Sequence, residues 1–72
     1  MVTVYEKPAC SQCDMTKKVM KDKGIEYRTK SLEEPENLEF VKGLGHLSAP
    51  VVVTEGESWS GFRPDKILTL VA

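Results

Sequence analysis

Seventy-two residues carry ten Lys and Arg against eleven Asp and Glu, a formal net charge of −1, with a sequence pI near 5.8. That balance excludes a polybasic surface for nucleic acid or anionic lipid as the main activity. With 29% charged and 40% hydrophobic residues the chain suits a folded domain, and its longest strictly apolar run, Val51-Val52-Val53, is too short for a transmembrane helix.

Val2-Thr3-Val4-Tyr5 is β-branched and aromatic and predicts a first strand, stopped by Lys7-Pro8-Ala9, where proline lacks a ladder donor. From about Ser11 to Lys23 the chain reads as a helix. Cys13, Thr16 and Met20 recur at three and four residues, Met15 and Val19 lie beside that stripe, and Lys17, Lys18, Lys21 and Asp22 face away. Gly24 stands where a left-handed C-terminal cap is expected. Ile25 to Thr29 alternates as a second strand, and the helix between the two strands predicts a parallel βαβ unit. Ser31 and Glu34 have capping-box spacing while Pro35 prefers the first helical turn, so a second helix starts between Leu32 and Pro35. Leu38, Val41 and Leu44 are its expected inner face, and Gly43 and Gly45 end it. Ser48-Ala49-Pro50 leads into a buried strand, Val51 to Thr54. Glu55-Gly56 is a tight-turn pair, and Glu57 to Ser60 is the returning strand. Pro64 opens a last helix with Ile67, Leu68 and Val71 on one side. The order β-α-β-α-β-β-α predicts an α/β domain over 1–72, a four-stranded mixed sheet flanked by three helices.

A chain of this size buries only about 60% of its unfolded surface, so it needs a good core or a staple. Two cysteines cannot supply the several bridges of a secreted mini-protein. The start, Met1-Val2-Thr3-Val4-Tyr5, lacks a basic segment followed by an apolar stretch, so no signal peptide is expected, and the expected compartment is a reducing cytoplasm.

The informative feature is Cys10-Ser11-Gln12-Cys13, just after a strand and at a helix start. Residues three apart there lie on one face, roughly 5–6 Å apart, within disulfide range. With Cys10 at the cap, its sulfur faces the unpaired N–H groups of the first turn, that of Cys13 included. Those donors and the helix dipole favour a thiolate. Cys10 is therefore the predicted attacking sulfur. Cys13, one turn inside, is the thiol that resolves a mixed disulfide. Strand–CxxC–helix in a βαβ context is the thioredoxin-like signature of a redox dithiol. Other readings are half of a zinc site, although structural zinc takes four ligands and His46 is the only other good candidate, or two inert core cysteines. A purely stabilising disulfide gains little, since closing so short a loop removes only about 2 kcal/mol of denatured-state entropy.

Around Cys10-Ser11-Gln12-Cys13, with Val4-Tyr5 before it and Ala49-Pro50 before a valine strand, the chain resembles thioredoxin-fold redoxins of glutaredoxin size. With Lys7-Pro8-Ala9 and the stretch Trp59-Ser60-Gly61-Phe62-Arg63-Pro64-Asp65, it resembles more closely the NrdH-redoxin family, over essentially its whole length. That resemblance implies a thioredoxin fold and a dithiol electron donor to class Ib ribonucleotide reductase, through its large subunit. Re-reduction is implied to come from thioredoxin reductase with NADPH rather than from glutathione. It also implies that Cys10 is nucleophile, Cys13 resolving thiol and Pro50 a cis-proline beside them, with Trp59 to Asp65 shaping partner contact. No bound cofactor is expected beyond the Cys10–Cys13 disulfide, and the chain is expected to act as a monomer.

The physics of each carried residue stands beside that implication. Proline's tertiary amide makes cis accessible at Pro50, turning the Ala49 backbone toward the sulfurs as a strand-like stretch for an incoming peptide; the bland reading is a plain proline opening a strand. Ser60 lies in the same partner-contact stretch, and Gly61 permits close backbone approach. Phe62 and Trp59 form either an apolar docking patch or part of the core. Arg63 is either a solvated cation or a carboxylate anchor, and Asp65 supports a helix start. Lys7 either lowers the thiolate pKa by proximity or is solvated, and His46 is a loop residue. Glutathione-using glutaredoxins carry a glycine pair followed by acidic residues near the last helix, and commonly Pro-Tyr between the cysteines. Here Gly61-Phe62-Arg63 and Ser11-Gln12 stand in those places. The alternatives to the electron-donor reading are a glutathione-dependent glutaredoxin and a metal or iron–sulfur binding module. The expected reduction potential is about −270 to −200 mV.

Overall fold

The first strand, β1 (Val2–Glu6), has apolar residues pointing both ways: Val4 is fully buried on one face and Tyr5 nearly so on the other. A strand buried on both faces belongs in the middle of a sheet covered by helices. The computed structural model, which describes residues 1–71, shows that arrangement. The remaining elements are α1 (Ser11–Asp22), β2 (Tyr27–Ser31), α2 (Pro35–Gly43), β3 (Val51–Val53), β4 (Ser58–Ser60) and α3 (Pro64–Leu68). The strand order is β2-β1-β3-β4, with β2 parallel to β1 and both β1–β3 and β3–β4 antiparallel. This is the four-stranded mixed sheet with three helices of the thioredoxin fold.

Two apolar clusters lie on opposite faces of the sheet. Val4, Met20, Val52, Trp59 and Ile67 join α1 and α3 to one face, and Tyr5, Val41 and Val51 join α2 to the other. Burial of this kind contributes roughly 25 cal/mol per Å² of apolar surface. The β-branched run Val51-Val52-Val53 serves both faces, which is why it reads as a continuous apolar strand.

Several local expectations are corrected. The second strand begins at Tyr27, two residues late, because the Ile25 N–H bonds to Met20 O and closes the end of α1. Gly24 is left-handed there, φ +73°, as the cap requires. Ser31 does not cap α2: it ends β2, its Oγ accepts the Glu33 N–H, and the N-cap is Glu34. A residue before proline is pushed away from helical angles, so Pro35 holds Glu34 extended and begins the helix itself.

Of the expected inner face of α2 only Val41 is buried, with Leu38 and Leu44 exposed. A nine-residue helix over a narrow sheet offers one such position. On α3, Ile67 is buried and Leu70 packs beside it, whereas Leu68 and Val71 face outward. In five residues the helical period is too short to settle which side turns in. The strands β3 and β4 stop at Val53 and start at Ser58, since Thr54 Oγ1 and Glu57 bond across the turn.

Candidate functional site

The chain leaves β1, turns through Lys7-Pro8-Ala9 and enters α1 at Cys10. Ala9 has φ +54°, a left-handed backbone that residues with a Cβ rarely adopt. Cys10 is then the N-cap, with extended angles (φ −118°, ψ 100°), and its Sγ accepts the Cys13 N–H at 3.1 Å. Cys10 and Cys13 form a disulfide across a Cα–Cα distance of 5.2 Å. The predicted cap geometry is thus present: the Cys10 sulfur is held by an opening amide of α1, at the positive end of the helix. Cys10 is half-buried, whereas Cys13 is 1% exposed, so only the first sulfur is open to an incoming one. Once the disulfide opens, donor and dipole together favour negative charge on Cys10.

Two loops surround the pair. The Ala49–Pro50 bond is cis and Pro50 is buried. The Pro50 carbonyl accepts the Gly61 N–H at 2.8 Å, whereas among the described residues no backbone hydrogen bond holds the N–H or C=O of Ala49. The second loop is Gly61-Phe62-Arg63, where Gly61 is left-handed (φ +83°) and Phe62 is half-buried against the core. Gln12, between the cysteines, fixes this loop: its Oε1 accepts the Phe62 N–H at 3.1 Å. A Cβ on Gly61 would sit 3.6 Å from the same oxygen, so the backbone angle, rather than crowding, selects glycine.

The remaining candidates divide. Trp59, expected in the partner-contact stretch, is 4% exposed and belongs to the core, because inward and outward residues alternate along β4. Ser60 is half-buried beside it. Arg63 is an anchor rather than a free cation: its guanidinium grips Asp65 through bonds of 3.1 and 2.9 Å. That hydrogen bond holds the Asp65 carboxyl below its ordinary range and the guanidinium above its own. Lys7 is exposed and lines two hollows, one of about 430 Å³ with Leu32, Val41, Lys42 and Ala49, the other of about 330 Å³ with Cys10, Asp14 and Lys17. His46 turns its Nε2 to Ser58 Oγ at 2.9 Å. Among the described residues, no three His, Cys, Asp or Glu side chains converge as a metal site.

Two features escaped the sequence reading. The bridging role of Gln12 depends on a partner fifty residues away, for which one sequence carries no signal. The Lys17–Glu6 pair closes beside the Cys10 hollow at 2.6 Å, with side chains 29% and 26% exposed. The hydrogen bond to Glu6 holds the Lys17 ammonium above its ordinary value. Lys17 lies on the face of α1 expected to point away from the core, and Glu6 at the end of β1 supplies the nearer carboxylate, with Asp14 on the same helix at 3.8 Å.

This geometry has known relatives. The glutaredoxin family model matches residues 2–59. The glutaredoxin-like protein NrdH of Escherichia coli (strain K12) is 37% identical over 67 residues, 92% of this chain and 83% of that one. The glutaredoxin-like protein NrdH of Lactococcus lactis subsp. cremoris (strain MG1363) is 39% identical over 71 residues, 97% and 99% of the two chains. Among solved structures, the NrdH-redoxin of Escherichia coli superposes with a TM-score of 0.92 at 37% identity, covering 96% of this chain and 92% of that one. That protein is described as glutaredoxin-like with a thioredoxin-like activity profile.

Proposed function

The chain belongs to the glutaredoxin family, in its NrdH branch, and is a thiol–disulfide oxidoreductase; from that premise we propose that it carries electrons to the large subunit of a class Ib ribonucleotide reductase and is re-reduced by thioredoxin reductase with NADPH. The observation that carries the chemical part is the Cys13 N–H bond to the Cys10 sulfur at the opening of α1, with only Cys10 open to solvent. The Cys10 thiolate attacks a partner disulfide, and one partner sulfur leaves as a thiolate that takes up a proton. Cys13 then attacks Cys10, the mixed disulfide breaks, and the second partner sulfur leaves. Two electrons pass to the partner, and the redoxin departs as the Cys10–Cys13 disulfide. It works as a cytoplasmic monomer whose only prosthetic element is this disulfide.

The backbone of Ala49, which makes no backbone hydrogen bond among the described residues, offers an incoming extended peptide the main-chain groups of a short added strand. Phe62 and Gly61 lie against Gln12, between the two cysteines, with Ser60 next in the chain, and Lys7 flanks the hollow beside Cys10. The choice of reductase follows the thioredoxin-like profile of the Escherichia coli relative and the Phe62-Arg63 loop, where glutathione users carry a second glycine and acidic residues. A coupled assay tests it. NADPH oxidation is expected with thioredoxin reductase, this protein and a disulfide substrate, and not with glutathione and glutathione reductase. The reverse pattern makes the protein a glutathione-dependent glutaredoxin.

A further inference from the structure

Thr16 is the one polar side chain that is buried among the described residues, at 0% exposure, and its Oγ1 has no hydrogen-bond partner. A hydroxyl in that condition is normally paired, because burial strips it of water without replacement. Valine has nearly the same shape and avoids the penalty, so the fold alone does not explain the oxygen. Thr16 lies three residues after Cys13 on the inward face of α1, one turn along, and Cys13 is itself 1% exposed.

Opening the disulfide changes what this face contains. Cys13 becomes a buried thiol that must ionise to attack Cys10, and burial pushes a thiol's pKa up. Its own N–H gives no relief, since that amide points at the Cys10 sulfur. We infer that the Thr16 hydroxyl is the hydrogen-bond donor to the Cys13 sulfur in the reduced protein, left without a partner in the disulfide form and supplied with one when the dithiol forms. Thr16 thereby favours the reduced state and sets the rate of the resolving step. The inference rests on Cys13 being the resolving thiol.

The test loads Cys10 with thionitrobenzoate as a mixed disulfide and follows release of the coloured thiol against pH. In that step Cys13 thiolate displaces thionitrobenzoate from Cys10. In Thr16→Val the midpoint of the pH profile is expected to rise by about one unit, a tenfold smaller thiolate fraction below the midpoint. A more basic thiolate is also a better nucleophile, so the net slowing at neutral pH is about threefold. Above the midpoint, where the reduced protein carries the Cys13 thiolate, the disulfide becomes harder to reduce by about tenfold, which is about 30 mV toward more negative potential. Meanwhile the oxidised Thr16→Val protein should melt no lower than the parent, because the unpartnered oxygen is gone. Thr16→Ser should restore midpoint and potential. If valine impairs folding, comparing Thr16→Ala with Thr16→Ser isolates the hydroxyl. Equal midpoints and potentials in variants with and without the hydroxyl overturn the inference. If the parent protein itself releases no thionitrobenzoate, the assignment of Cys13 fails instead.

Discussion

The side-chain carbonyl of Gln12 accepts the backbone N–H of Phe62 at 3.1 Å, so a residue between the two cysteines holds the loop that precedes α3. The bond is exposed, and its net contribution to stability is small, on the order of 0.5–1.5 kcal/mol. Its larger effect is on order. Gln12→Ala should leave the melting temperature within a few degrees of the parent while the Phe62 amide exchanges markedly faster with solvent. Gln12→Glu keeps an acceptor and should retain the protection. Unchanged Phe62 exchange in Gln12→Ala would mean that core packing of the ring alone fixes the loop.

Unequal access to the two sulfurs sets the outcome of serine substitution. Cys13→Ser should accumulate a mixed disulfide through Cys10 with a disulfide substrate, detectable as a mass adduct lost on reduction. Cys10→Ser should accumulate none at comparable times, because Cys13 is 1% exposed. Adducts of equal yield in both variants would overturn the division of roles.

Trp59 joins Val4, Met20, Val52 and Ile67 in the larger cluster, yet its indole Nε1 has no hydrogen-bond partner among the described residues. Trp59→Ala should lose about 3–5 kcal/mol, enough to unfold most of so small a domain. Trp59→Phe leaves a smaller void and removes the unpartnered N–H, so its loss should stay below about 1.5 kcal/mol. Urea midpoints with a constant slope measure both. A phenylalanine variant as damaged as the alanine one would show that the N–H is satisfied after all.

The Lys17–Glu6 pair gives a pH signature. The Lys17 pKa is raised above its ordinary 10.5, chiefly by the hydrogen bond to Glu6. A raised ammonium stabilises the fold fully below the unfolded value and loses that contribution as pH climbs through the folded one. Glu6→Gln should therefore be less stable than the parent at pH 7, by about 1 kcal/mol or less. The gap should narrow above about pH 10.4. Denaturation midpoints at neutral and alkaline pH measure it, and a gap that widens on the alkaline side contradicts the pairing.

What could be read from the chain was what depends on local pattern. The Cys10 cap, the left-handed Gly24, the cis Ala49–Pro50 bond and the order of strands and helices all follow from residues within a few positions of one another, or from motifs that travel with them. Contacts between distant segments were not legible. Gln12 and Phe62 meet only because α1 and the loop before α3 converge on the same end of the sheet. Leu38, Leu44 and Leu68 have the hydrophobicity of core residues, but whether a short helix buries one row or two is decided by the width of the sheet beneath it. Ser31 carried a valid capping signal that lost to proline's restriction on its neighbour.

The ladder β2-β1-β3-β4 leaves two open flanks, and they are blunted differently. Along β2 the consecutive residues Arg28, Thr29 and Lys30 are all exposed, so an identical strand laid alongside would bring cation against cation. The opposite rim, β4, is only three residues long, too brief to template a foreign strand. Charge on one side and brevity on the other are the usual protections against edge-to-edge aggregation. They let a small thiol–disulfide oxidoreductase expose Phe40, Leu44 and Leu47 without its sheet serving as a seed for fibres.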